Sequence, residues 1–390
     1  MGHAGGFFDD LRRAGDPGAD AVIDELARTG QIRAVSGILR HLIDNEQPVP
    51  AELPAPVGQW LREAGELPAW ADRDRLERGC TTVVEHGPQV CVALATASLV
   101  YCYAGYPGVK VLTFSNRLDH DAYRRVGETA QFVLAVMSPG SLDPGGRGIR
   151  KIQKVRLLHA AIRYLVANSG RWDIAVDGVP ICQEDLAGTL VSFSWIVVDS
   201  LRKLGVRIAD EEAEDYHYRW RVVGQMLGID PAAIPADMAQ ARELTAVIAQ
   251  RNHRRSDEGL EMTRALFELH ANSLPAGFEG AAPALTRYLL GDEMCELVGL
   301  PHTRWDRAMA WQAGAGRVLD RAQSARGPIG SLTKMVGAGI LNQRVVEMAG
   351  RRSASFSIPV PPELGRRWSA SGVFPTIDPE LARIARSEQA

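Results

Sequence analysis

Between Lys151 and Gly170, Ile152, Val155, Leu158, Ile162, Leu165 and Val166 recur at helical spacing. A stripe of that kind commits the segment to an α-helix with one face against a core. His159 lies within the stripe, with Arg156 one turn before it and Arg163 one turn after. A histidine in that setting is well explained as a hydrogen-bonded core residue. The two arginines ask for more, because guanidinium groups near a core need anionic partners. A haem would supply both needs: its iron takes a neutral imidazole and its propionates take arginine forks. Spacing alone leaves both readings open.

The rest of the chain has the same helical grain, punctuated by Pro and Gly turns. Asp20 to Arg28 and Gln31 to Ile43 are amphipathic, and a Pro-rich connector leads to a helix near Val57–Ala64. Asp72 to Tyr103 reads as one long helix, or as two broken at Gly87-Pro88. Val109 to Phe114 reads as a short strand. Leu118 to Met137 and Glu184 to Leu204 are long and apolar. Further amphipathic segments cover 211–227, 238–250, 259–271, 282–291, 304–325 and 329–348. These predict an all-α chain: one large helical domain over residues 1–350, then a Pro-rich tail over 351–390.

Length and charge narrow the function. With 390 residues there is ample material for a core, and a net charge of −3 makes no case for nucleic acid or an anionic membrane. The five cysteines are odd in number and widely spaced, with no C-x-x-C, which fits a reducing compartment. Arg12-Arg13 is followed by polar residues instead of an apolar run, so no export signal is read and a cytoplasmic location is expected. Val90 to Val109 lacks charge and approaches membrane-spanning length. Its Ala, Thr, Ser, Cys, Tyr and Gly content predicts a buried central helix rather than a transmembrane segment. Nothing in the sequence specifies an oligomeric state.

A second polar cluster lies in 124–137. Arg125, Glu128 and Thr129 fall at i, i+3 and i+4, on one side of a helix that is otherwise apolar. Such a cluster serves either as a buried ion pair or as the open side of a cofactor site, where a base and a hydrogen-bond donor handle dioxygen and substrate.

Several stretches resemble the latex clearing proteins, which share the rubber oxygenase catalytic domain with the mycophenolate-pathway oxygenases. They are Asp44 to Pro50, the Arg125-x-x-Glu128-Thr129 cluster, the Pro139-Gly140 and Pro144-Gly145-Gly146 loop, Lys154 to Arg163 and Gln183 to Leu190. The resemblance covers about half the chain. It implies a globin-like core around haem b, centred on residues of about 72–230, with His159 as proximal iron ligand. Arg156 and Arg163 match the arginines of the haem-ligand helix, and Arg125 and Thr129 match polar residues on the distal side. The implied reaction is oxidative cleavage of a carbon–carbon double bond by dioxygen. One departure is Glu128, which stands where the best-known latex clearing proteins have a lysine. The distal position is then open or water-ligated, with Glu128 placed as a base. Without an export signal, a small isoprenoid or other apolar unsaturated molecule is the expected substrate.

Two other classes compete. Glu214 and His217 have the Glu-x-x-His spacing of helical di-iron sites, although such sites need a second motif and further carboxylates. Without turnover, the His159 helix would serve a haem-binding sensor or carrier. The distal cluster favours an enzyme over that reading. Cys182, imagined as a haem thiolate, reads better as a buried structural cysteine.

Overall fold

The structure, a computed structural model, describes residues 2–31, 54–114, 118–274, 277–307 and 309. The helix expected over 31–43, the Asp44–Pro50 motif, most of the segment expected over 304–325, and everything beyond it fall outside these residues. The boundary expected at residue 350 does so too. Among the described residues the elements are helices, and the β-type pairing is one isolated bridge between Gly105 and His253.

Two long apolar runs form the centre. The first is the helical run Arg73–Ala104. Its backbone departs from helical geometry at His86 (φ −125°, ψ 23°), two residues before Pro88, whose ring cannot follow a straight helix. Among the described residues this is the one helix long and apolar enough to cross a membrane. Yet 83% of that apolar window is buried inside the fold. The second run comprises Gln183–Val191, Ser192–Ile196 and Val197–Lys203.

Both runs contain a π-helical turn, Leu94–Ser98 in one and Ser192–Ile196 in the other, and the two turns meet. Small residues allow the approach: Ser98 Oγ donates to Ser192 Oγ at 3.2 Å, beside the fully buried Ala97. A π-turn inserts one extra residue and re-aims the side chains that follow, a device common near functional sites. Here Leu99, Tyr101 and Phe193 are turned onto a shared cavity.

The helix Arg147–Ala167 carries His159 and packs against Pro17–Arg28 on one side and Leu118–Val136 on the other. Leu157, Ala160 and Ala161 join Ala19, Val22, Ile23 and Leu26 in one apolar cluster. The helix is therefore buried on a second face beyond the expected stripe, and the stripe itself ends in solvent, Leu165 being 62% exposed. Asp16 opens helix 17–28 by accepting from Ala19 N, with Pro17 at the first helical position, where its missing N–H costs nothing.

The strand expected over Val109–Phe114 is instead the helix Gly108–Leu112. Its β-branched valines favour a strand locally. However, Val109 N bonds Gly105 O, and Val109 and Val111 are buried by neighbouring helices, so tertiary packing outweighs propensity. The helix Gly2–Arg13 has no counterpart in the sequence reading; Arg12 holds it down through Glu184 and Asp185.

Candidate functional site

A cavity of about 720 Å³, walled mainly by apolar side chains, lies between the two central runs and the His159 helix. Its size falls within the range of roughly 300–1,000 Å³ usual for small-molecule and cofactor sites. His159 borders it from helix 147–167, and Glu128 and Thr129 border it from helix 118–136. Three of the expected site residues are thus brought to one space. The backbone of Arg125 belongs to the same helix; its side chain lies outside the described residues.

His159 is chemically primed to accept an electrophile. Burial, helped by the positive charge of Arg163, pushes its pKa down to about 4, so the imidazole is neutral at physiological pH. Its Nδ1 is buried with no hydrogen-bond partner. An orphaned buried nitrogen costs about 1–3 kcal/mol.

Arg156 and Arg163 do not line the cavity. Arg156 forms a two-pronged ion pair with Asp16 (Nε–Oδ2 2.6 Å, Nη2–Oδ1 2.8 Å). Arg163 Nε donates to Asp20 Oδ1 at 2.9 Å, and its Nη1 donates to Ile181 O at 2.9 Å. The anionic partners that their spacing asks for are carboxylates of helix 17–28 and its cap. Both pairs lie between the His159 helix and helix 17–28, so they fix the helix that presents the imidazole.

Across the cavity, Glu184 is fully buried between Arg12 Nε (2.8 Å) and Arg251 Nε (2.7 Å), and Asp185 pairs with Arg12 Nη1 at 2.6 Å. Burial raises the Asp185 pKa while Arg12 lowers it, with a net rise. A different arginine borders the space: Arg171 lies at its edge, 4.7 Å over the Phe114 ring, with no carboxylate partner among the described residues. Sequence reasoning missed Arg171, as well as Asn252 and His253 on the cavity wall, because no periodic pattern ties them to His159.

The competing constellations resolve into structural roles. Glu214 Oε1 accepts from Met238 N at 3.1 Å, and the buried His217 donates through Nε2 to Pro235 O at 3.1 Å. Among the described residues no three His, Cys, Asp or Glu side chains gather as a metal-binding group. Cys182 is fully buried at the start of helix 183–191, and burial raises its thiol pKa well above the ordinary value.

Residues 89–322, more than half of the chain, match the family model described as ER-bound oxygenase mpaB/B'/Rubber oxygenase, catalytic domain. The chain is 27% identical over 311 residues to a rubber oxygenase of Streptomyces sp. (strain K30), covering 77% of this chain and 76% of that protein. A solved structure of latex clearing protein LCP in the closed state superposes with a TM-score of 0.72 at 25% identity. That match covers 90% of this chain and 95% of the other.

Proposed function

Because the chain belongs to the ER-bound oxygenase mpaB/B'/Rubber oxygenase catalytic-domain family, and is an oxygenase by that membership, we propose that it cleaves a carbon–carbon double bond with dioxygen, using haem b held by His159. The substrate is an isoprenoid or another apolar unsaturated molecule. The observation that carries this reading is the neutral imidazole of His159 bordering a largely apolar cavity of cofactor size. The residues fit the group. When bound, haem supplies the oxygen chemistry that breaks the alkene.

The protein's own contributions follow from the geometry. His159 would hold the haem iron, kept neutral by burial and kept in place by the Arg156–Asp16 and Arg163–Asp20 pairs. These pairs position the helix and do not hold the cofactor's carboxylates; Arg171 is the guanidinium available for one. Glu128, on the exposed side of helix 118–136, holds or moves a proton beside the cavity, and the Thr129 hydroxyl orients a polar group there. Phe193, Leu190 and Leu158 exclude water, so that charge developing at the alkene is not quenched by solvent.

The test is spectroscopic. The purified protein is expected to show a Soret band and one haem b per chain by pyridine haemochrome, and His159→Ala to lose or shift that band. Unchanged haem content and spectrum in the variant would refute the ligand assignment. A colourless protein after expression with ample haem would refute haem-based cleavage of the alkene.

A further inference from the structure

Most polar groups on the cavity wall already have partners. Thr189 Oγ1 donates to Asp185 O, the Cys102 thiol and Ser192 hydroxyl are 3.2 Å apart, and Glu184 and Asp185 are held by arginines. His253 and Asn252 are exceptions. The Nδ1 of His253 is buried without a partner, and among the described residues neither its other nitrogen nor the Asn252 amide has one.

This corner is also rigid. Tyr106 N donates to Asn252 O at 2.9 Å, Arg254 N to Ala104 O at 3.1 Å and His253 N to Ala249 O at 3.0 Å. The 252–254 backbone is thereby sewn to 104–106, where Gly105 and His253 form the isolated bridge. Tyr101 packs edge-on against the imidazole with ring centres 4.3 Å apart, and its own hydroxyl is tied to Thr245 O at 2.7 Å. Burial pushes the His253 pKa down to about 4, leaving a neutral ring with one donor and one acceptor nitrogen. A preorganised, neutral imidazole with an unspent Nε2 on the wall of an apolar cavity, beside an unspent amide, is what a site built to read one polar group requires.

We propose that His253, with Asn252 beside it, is a specificity-determining site that hydrogen-bonds a hydroxyl or carbonyl at the end of an apolar unsaturated substrate. This rests on the substrate class proposed above and narrows it: the substrate is an oxygen-terminated chain rather than a pure hydrocarbon.

Equilibrium dialysis of the haem-loaded full chain tests it, with farnesol and the deoxy hydrocarbon of the same skeleton as probes. The wild type is expected to bind farnesol about tenfold more tightly, the worth of one buried hydrogen bond. His253→Phe is expected to bring the ratio to about one while keeping affinity for the hydrocarbon. His253→Gln, which retains a donor and an acceptor, is expected to keep much of the preference. Should His253→Phe not fold, His253→Ala carries the same comparison. A preference that survives removal of the imidazole, or a wild type that binds both probes equally, overturns the His253 assignment alone. Binding of neither probe overturns both this proposal and the apolar substrate class, whereas the haem reading is decided separately by the His159→Ala spectrum.

Discussion

Arg156 and Asp16 stand 140 positions apart and meet with Asp16 almost fully buried. Breaking such a pair from one side leaves a charge with no solvent to turn to, which is costlier than never having had the pair. Arg156→Met is expected to lower stability by about 3 kcal/mol in denaturant unfolding. Adding Asp16→Asn should recover part of that loss, since the double variant removes the stranded charge. On the proposed reading, Glu128 serves the chemistry rather than the fold. Glu128→Gln should leave the melting temperature and Soret band nearly unchanged while lowering kcat by about 100-fold, within the usual contribution of a positioned proton-transfer group. Loss of haem or of fold in that variant would instead assign Glu128 a structural role.

Among elements, helix 118–136 ends on a device invisible in the sequence. Arg219, fully buried, donates to Val136 O (2.8 Å), Ser138 O (2.9 Å), Leu76 O (2.7 Å) and Ser141 Oγ (2.9 Å). It satisfies carbonyls that the helix end leaves open. Arg219→Met should therefore destabilise by about 3 kcal/mol or more, measured by chemical denaturation. Elements with strong local signals were legible. The apolar runs at 73–104 and 183–203 mark central helices, helix 17–28 was legible from Asp20 onwards, and the 118–136 and 147–167 helices follow their periodicity to within a few residues. The Arg156–His159–Arg163 spacing marked the helix that borders the cavity too, but not the arginines' partners. Asp16 and Asp20 carry no local hint of a partner 140 residues away, and the π-turns that aim Tyr101 and Phe193 leave no periodic trace. The helix at 108–112 was missed because its valines speak for a strand and only burial by distant elements overrules them.

At the scale of the whole molecule, His159, His217, His253 and His270 share one electrostatic condition: burial pushes each pKa down to about 4 from an ordinary 6.5. Such a histidine binds a proton more readily unfolded than folded. Its contribution to stability is whole above about pH 6.5 and is lost as pH falls through that window towards 4. Unfolding free energy should therefore drop steeply between these values. His270, with neither ring nitrogen hydrogen-bonded, offers the cleanest check. His270→Leu should flatten the slope and stabilise the protein at neutral pH by about 1 kcal/mol. An unaltered slope would mean that His270 does not titrate with unfolding.

The pairing of Asp16 with Arg156 and of Asp20 with Arg163 also sets an order of events during biosynthesis. The first helices leave the ribosome early, yet their carboxylates must wait for a stretch of chain 140 residues later. Closing so long a loop is slow and gains nothing until both ends meet. Asp16 and Asp20 therefore stay unpaired in the nascent polypeptide until the segment bearing His159 has been made. On the proposed reading the cofactor would be captured only once these pairs have formed, and a mutation at Asp16 or Asp20 would delay maturation of a centre that neither residue lines.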